Sequence, residues 1–542
     1  MDTGHYILEK PQNEPILSYA PGSPERSAVL HQLDEMTEDV LDIPMVIGGE
    51  EIRTENTQPV VCPHDHQKVL GHAHQAQTPE VELAIEAALK AKTQWAEMPW
   101  HDRIAIFSKA ADLLASKYRY IINAATMLGQ GKNVYQAEID AACELIDFLR
   151  FNVYYASQIY SEQPDSVMGE WNRLDYRPLE GFVFAVTPFN FTAIAGNLPT
   201  APAIMGNTVV WKPASSAIYS AHFIMQVFLE AGLPPGVINL VYGSGRVIGN
   251  EILKHPDLAG VHFTGSTEVF QGMWRTVGEQ IDAYKTYPRL VGETGGKDFI
   301  VVHPTADIEV TVTALIRGAF EYQGQKCSAA SRAYIPRSMW SEVLSRLKAE
   351  LQTIKMGSPS DPSNFVNAVI DKDAFDSITE YIDYARDHED ATILWGGDYD
   401  DSTGYFIDPT VITTEEYDFK TMEEEIFGPV LTLAPYDDDN FEAILDVVDK
   451  TSPYALTGAI IAQDRAAIDL ASRTLRQAAG NFYINDKPTG SIVGRQPFGG
   501  ARASGTNDKA GSPWNLIRWT SPRAIKENFI PARDYRYPFL GT

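Results

Sequence analysis

Apolar residues recur at helical spacing in Val81 to Leu89, in Ile104 to Leu114 and in Ile121 to Phe151, so each of these stretches is expected to be an amphipathic helix. From Gly181 onward the texture changes. Short continuous apolar runs (Phe182 to Val186, Thr208 to Trp211, Val237 to Val241, Val261 to Phe263) alternate with helical stretches, a pattern that predicts a parallel Rossmann-like sheet with helices on its faces. A second alternating block runs from Phe299-Ile300-Val301-Val302 through Asn481-Phe482-Tyr483-Ile484. Residues 181 to 211 contain no charged residue and no histidine, yet Pro188, Asn190, Asn197, Pro199, Pro202 and Asn207 interrupt them. This segment therefore parses as strand, loop, helix, strand rather than as a membrane span. The first 45 residues are polar and dotted with proline, and are expected to form an arm laid over the body.

Length narrows the picture: 542 residues exceed one hydrophobic core and suit two or three domains. Charge narrows it further. A formal net charge of −28 repels phosphate backbones and anionic lipid, which argues against nucleic-acid binding and membrane-surface attachment. Three cysteines, Cys62, Cys143 and Cys327, make no disulfide framework and suit a reducing compartment. The start, Met1-Asp2-Thr3-Gly4-His5, has neither the apolar stretch of a secretory signal nor the Arg-rich character of an organelle presequence. The expected location is cytoplasmic, or the mitochondrial matrix if a presequence was removed.

The candidate chemistry centres on Cys327, within Gln323-Gly324-Gln325-Lys326-Cys327-Ser328 and 34 residues after Glu293 of Glu293-Thr294-Gly295-Gly296-Lys297. A thiolate adding to a carbonyl makes a tetrahedral carbon from which hydride can leave for a nicotinamide. The remaining thioester needs a carboxylate base, Glu293, to activate water. Asn190, in Thr187-Pro188-Phe189-Asn190-Phe191-Thr192, supplies an amide that with the Cys327 N–H forms an oxyanion hole, at about 2.7–4 kcal/mol per donor. Taken alone, Asn190 also reads as a turn residue after Pro188. Lys326, beside the thiol, is placed to favour the thiolate.

Cofactor signals sit at successive strand ends. Lys212 closes one apolar run, and Gly243-Ser244-Gly245 offers backbone to a diphosphate without matching the G-x-G-x-x-G fingerprint. Gly265 and Ser266 lead from another strand into a helix whose N-terminus can hold phosphate. Cys62, His64, His66, His72 and His74 cluster densely, but period-two spacing in a hairpin through Gly71 puts the histidine pairs on one solvent face, so no metal site is expected. The aromatic tail Tyr535 to Phe539 reads as a docking motif or as the seal of a subunit interface.

With Cys327, Glu293 and Asn190 in this order, the sequence resembles the aldehyde dehydrogenase superfamily over nearly its whole length. It is most similar to the Δ1-pyrroline-5-carboxylate (L-glutamate γ-semialdehyde) dehydrogenase branch. The stretches that carry the finer resemblance are Gly129-Gln130-Gly131-Lys132, Gln136 to Asp140, Phe320 to Gln323, and Pro488-Thr489-Gly490-Ser491-Ile492-Val493-Gly494 followed by Gln496 to Asp508. The resemblance implies an α/β aldehyde dehydrogenase fold. Its parts are a NAD-binding domain (1–168 with the arm, and 186–293), a catalytic domain (294–500), and an oligomerisation flap with the tail (169–185 and 501–542).

It also implies NAD as cofactor, held around Thr187, Pro188, Phe189, Lys212, Ser215, Gly245, Gly265 and Ser266. Glu425 would take the nicotinamide ribose hydroxyls, with Phe427 packed nearby. Where many NAD enzymes of the superfamily have Glu, this chain has Ser215, so charge does not exclude the NADP phosphate. Gly490, Ser491 and Ser328 would hold the substrate α-carboxylate, Phe191 and Phe498 its methylenes, and Glu144 would lie nearby, paired with Lys326. Read without the family, Gly490-Ser491 is a turn and the two phenylalanines are core.

The implied reaction is NAD-dependent oxidation of L-glutamate γ-semialdehyde to L-glutamate, the second step of proline breakdown, by a homodimer or larger homo-oligomer with proline dehydrogenase as a separate partner. Another small semialdehyde such as succinic semialdehyde, or a non-catalytic protein on the same fold, remain the alternatives. Glu293 disfavours a CoA-acylating relative.

Overall fold

The structure, a computed structural model, describes residues 7–541; the stretch Met1-Asp2-Thr3-Gly4-His5, on which the reading of the start rests, lies outside the described residues. Two seven-stranded sheets organise the chain. In the first the strand order is Arg289–Glu293, Leu258–Thr264, Phe182–Thr187, Thr208–Pro213, Ile238–Leu240, Met45–Ile47, Glu50–Ile52. The first five of these are parallel, and the pair from the N-terminal part is added antiparallel at the edge. Strand order reverses between Phe182–Thr187 and Leu258–Thr264, which opens a crevice at their carboxyl ends where doubly wound sheets bind ligands.

The second sheet runs Ala391–Trp395, Thr410–Thr414, Val430–Tyr436, Ala330–Pro336, Asp298–Val302, Thr457–Ile461, Asn481–Ile484, parallel except for its first pair. The interior strand Asp298–Val302 has the continuous apolar character expected of one buried on both faces. Phe299 and Val301 enter one hydrophobic cluster, Ile300 and Val302 the other.

Residues 181 to 211 are strand Phe182–Thr187, helix Thr192–Ile204 and strand Thr208–Pro213, and among the described residues no helix is long and apolar enough to cross a membrane. The border drawn at residue 186 falls inside the first of these strands, whose buried apolar run belongs to the first sheet. Glu170–Pro178 pairs antiparallel with Thr520–Asn528 in a separate two-stranded ribbon.

Two expectations gain detail and the last is corrected. The helical stretch Ile121 to Phe151 is not one helix. Arg119–Gln130 stops at Gly131, whose φ of 70° lets its N–H cap Met127 O at 3.2 Å, and a new turn starts after Asn133. A π-helical turn, Glu138–Cys143, then leads into Glu144–Ser161. The arm contains a helix, Pro24–Glu38, capped by Ser23 and burying Val29, Leu33 and Met36. The histidines of the hairpin Thr57–Cys62 and Asp65–His74 do not share a solvent face. His72 is exposed, but His74 is buried and held by Asp42 at 2.8 Å and Thr54 O at 2.7 Å, because its end of the strand tucks under the preceding loop.

Candidate active site

Cys327 follows a loop that departs from ordinary backbone geometry. Tyr322 and Gln323 both have φ above 50°, a left-handed conformation costly for residues with side chains. Buried hydrogen bonds hold them there: Tyr322 OH donates to Gln130 O at 2.9 Å, and Gln323 Nε2 donates to Gly131 O and Ala368 O, each at 2.9 Å. The Glu293 segment approaches so closely that a Cβ on Gly296 would lie 2.3 Å from Cys327 O, and one on Gly295 would lie 2.2 Å from Glu425 Oε2. Both glycines are thus required by contact, and the N–H of Gly296 donates to Glu425 Oε1 at 2.8 Å.

Cys327 borders two cavities. One, of about 740 Å³, lies at the crevice between the reversed strands. It is lined by Thr187, Pro188, Phe189 and Asn190 from one strand end, Lys212 and Gly245 from the next two connections, Gly265 and Ser266 beyond, and Glu425 and Phe427 from the second half. Phe189 and Phe427 meet edge to face at 5.8 Å. The helix Gly245–Leu253 carries no side-chain cap at its start, so its first N–H groups are open to an anion, whereas Ser266 caps Thr267–Glu279. Burial lowers the Lys212 amine to about 8 and raises the Glu425 carboxyl to about 7. Ser215 is exposed on the short turn Ser215–Ala217, directly after the cavity-lining Ala214.

The other cavity, of about 340 Å³, is bordered by Cys327, Glu293, Ser328, Phe191, Phe498, Glu144, Gly490 and Ser491. Gly490 has φ 93°, and Ser328 Oγ shares a hydrogen bond of 2.8 Å with Thr489 Oγ1 beside it. Glu293 Oε2 accepts from Gly500 N–H at 2.8 Å. Burial raises the Glu293 carboxyl well above the usual range, and burial together with Asp298, Glu293 and Glu425 raises the Cys327 thiol. Both shifts favour the protonated form of each group.

Lys326 makes its ion pairs with Glu321 at 3.3 Å and Asp140 at 3.8 Å rather than with Glu144, with which it still interacts through charge. Its side chain runs back into a buried ionic chain, because Asp140 and Glu321 offer full charge partners there. Glu144 Oε2 has no hydrogen-bond partner, and burial followed by the neighbouring Asp140 raises its carboxyl strongly. Sequence reasoning missed Lys132, which is buried against Asp140 at 2.6 Å and lies 4.3 Å over the Phe191 ring. It also missed Asp147 and Arg495 in the wall. A signal existed for Asp140, Glu144 and Asp147: their helical spacing puts them on one face.

Residues 51–525 match the model of the aldehyde dehydrogenase family. The chain belongs to that family. It is 53% identical over 536 residues, 98% of this chain and 96% of the other, to the mitochondrial Δ1-pyrroline-5-carboxylate dehydrogenase of Dictyostelium discoideum, and 48% identical to the human protein of that name, with 99% and 95% covered. Among solved structures it is similar to the Mycobacterium tuberculosis Δ-pyrroline-5-carboxylate dehydrogenase bound with NAD, at a TM-score of 0.97 and 53% identity, with both chains covered in full. In this chain the two cavities lie on either side of Cys327.

Proposed function

We propose that this chain is a NAD-dependent aldehyde dehydrogenase that oxidises L-glutamate γ-semialdehyde to L-glutamate, the second step of proline breakdown. The observation that carries this reading is Cys327 at the junction of two cavities, one with anion-ready backbone at strand ends and the other with a Gly490-Ser491 turn in its wall. The cofactor cavity fits NAD by its donors: the uncapped N-terminus at Gly245 for phosphate, Lys212 and Glu425 for ribose hydroxyls, and apolar walls for the rings. When bound, NAD accepts the hydride that leaves the aldehyde carbon.

The chain's own residues do the rest. Cys327 Sγ gives its proton to water and bonds to the carbonyl carbon, the C=O π pair moves onto the oxygen, and Asn190 with the Cys327 N–H stabilises the oxyanion. Glu293, once ionised, takes a proton from water, whose oxygen attacks the thioester and releases Cys327 with the carboxylate product. Gly490 and Ser491 N–H groups and the Ser328 hydroxyl hold the α-carboxylate, while the free Oε2 of Glu144 accepts from the α-ammonium. Phe191 and Phe498 pack on the methylenes between.

The ribbon of Glu170–Pro178 and Thr520–Asn528 cannot bury its faces alone, and Met168, Trp171, Phe529 and Ile530 beside it are exposed. These features support a homodimer or larger homo-oligomer, and light scattering that gives a monomer at micromolar concentration contradicts it. Proline dehydrogenase is the separate enzyme that would supply the substrate. The cytoplasm is the place expected in the cell, with the mitochondrial matrix as the alternative that the Dictyostelium relative's name supports.

The deciding experiment is NADH formation by purified protein with glutamate, succinic and simple aliphatic semialdehydes or aldehydes. Preference for glutamate semialdehyde in kcat/KM is expected, and preference for succinic semialdehyde moves the assignment to that substrate.

A further inference from the structure

The chain ahead of Pro24 carries no catalytic motif, yet Asn13, Glu14, Pro15 and Ile16 form part of the wall of the 340 Å³ cavity. Asn13 makes three contacts there. Its Nδ2 donates to Val493 O at 2.8 Å and to Asp147 Oδ2 at 2.8 Å, and its Oδ1 accepts from Arg495 Nε at 3.0 Å. Val493 and Arg495 follow Gly490-Ser491 in a loop without strand or helix. The near end of that loop is tied by Thr489 to Ser328. Asp147 belongs to the helix that begins at Glu144. One side chain thus spans the loop and the helix wall opposite it.

We propose that Asn13 is a positioning residue that sets substrate selectivity. It braces the 489–495 loop against the Glu144–Ser161 helix and so sets the distance at which Gly490 and Ser491 meet the head group of the substrate. Without Asn13, the stretch between Thr489 and the Phe498–Ala510 bridge would keep only its own turn bonds and the buried Val493 to fix it, and the chain length read by the cavity would broaden. This inference rests on the reading of that cavity as the glutamate semialdehyde site.

The brace is separable from the fold. Glu14 binds Arg119 and Arg150, each at 2.6 Å, and Pro15 O accepts from Arg119 Nη2 at 2.7 Å. Leu17 N–H and Tyr19 OH both donate to Glu138, at 2.9 and 2.8 Å. These charge-assisted bonds hold the arm without Asn13, and Asn13 itself is only half-buried.

The test compares Asn13→Ala with the unaltered full chain and with Gln12→Ala, an exposed neighbour on the same arm. Loss of the three side-chain hydrogen bonds should lower kcat/KM for glutamate semialdehyde about tenfold, mainly through KM, while hexanal stays within about twofold. The homologue of glutamate semialdehyde longer by one methylene should gain relative to it. Backbone hydrogen exchange of the 489–495 peptide should quicken, with Tm and NAD affinity unchanged and Gln12→Ala like the parent. An equal loss on glutamate semialdehyde and hexanal, or an unchanged ratio, overturns the proposal, as does unchanged exchange at 489–495. If the unaltered enzyme itself shows no preference for glutamate semialdehyde over hexanal, it is the functional reading that fails, and the exchange result alone then upholds or overturns the brace.

Discussion

The two cavities that meet at Cys327 are built in different ways. The cofactor side is made of backbone at the ends of parallel strands, from Thr187 to Phe189, at Gly245 and at Gly265-Ser266, with Lys212, Arg246 and Glu425 as its charged side chains. The substrate side is made of side chains brought from distant places: Asp140 from the π-helical turn, Glu144 and Asp147 from the helix that follows it, Glu293 from a sheet strand, Lys326 from the cysteine loop, Arg495 from the 489–495 loop and Glu14 from the arm. A crevice of strand ends comes with the topology and takes any ligand with a diphosphate. A pocket of buried, mutually dependent charges responds to the chemistry of one head group. Generality on one side and selectivity on the other follow from this difference in construction.

The comparison breaks first at Cys327, which serves both sides. Cys327→Ser should reduce NADH formation at least about 10³-fold while NAD titration is unchanged, because the thiol forms the covalent bond but does not anchor the cofactor. Substantial remaining turnover would remove the nucleophile from its role. Glu293→Gln should slow the steady state about 10²–10⁴-fold yet leave an initial burst of NADH in rapid-mixing traces, since the amide still accepts from Gly500 N–H but cannot take a proton. Absence of a burst with normal turnover would mean that another base hydrolyses the thioester.

The resting thiol gives a pH prediction. Its pKa is raised above the ordinary value of 9.0, so between pH 7 and 9 the thiolate is the minor form and grows as pH rises. Alkylation of Cys327 by iodoacetamide in the ligand-free enzyme should therefore quicken about tenfold per pH unit, read by peptide mass. A plateau below pH 8 would show that the carboxylates around it do not control the thiol. Cys62 and Cys143 are buried and should react far more slowly.

The smallest effect sharpens selectivity. Gly490→Ala puts a side chain at φ 93°, and Ser491→Ala removes a hydroxyl. Each should cost glutamate semialdehyde about 1–3 kcal/mol in kcat/KM and leave simple aldehydes little changed. Equal losses on both would make this loop structural.

Much of the cofactor side was legible from the chain because each part is local. An apolar run ending in Lys212, or one passing through Thr264-Gly265-Ser266 into a helix, carries its strand end and its helix start together. The strand Arg289–Glu293 was less visible. Gly292 interrupts its apolar run, and the reason appears only in three dimensions: a Cβ there would lie 2.3 Å from the Phe270 ring.

By itself the sequence determined the alternating architecture, and it singled out the candidate thiol, carboxylate and amide and the strand-end residues of the proposed cofactor cavity, since all of these are written in neighbouring positions. Tertiary structure alone decided the partners of Lys326, the unpaired oxygen of Glu144, the protonated state of Cys327 and the place of Asn13 against Val493. Each of these depends on which groups meet across hundreds of residues and on how little water is left between them, and a buried charge takes its state from those neighbours rather than from its place in the chain.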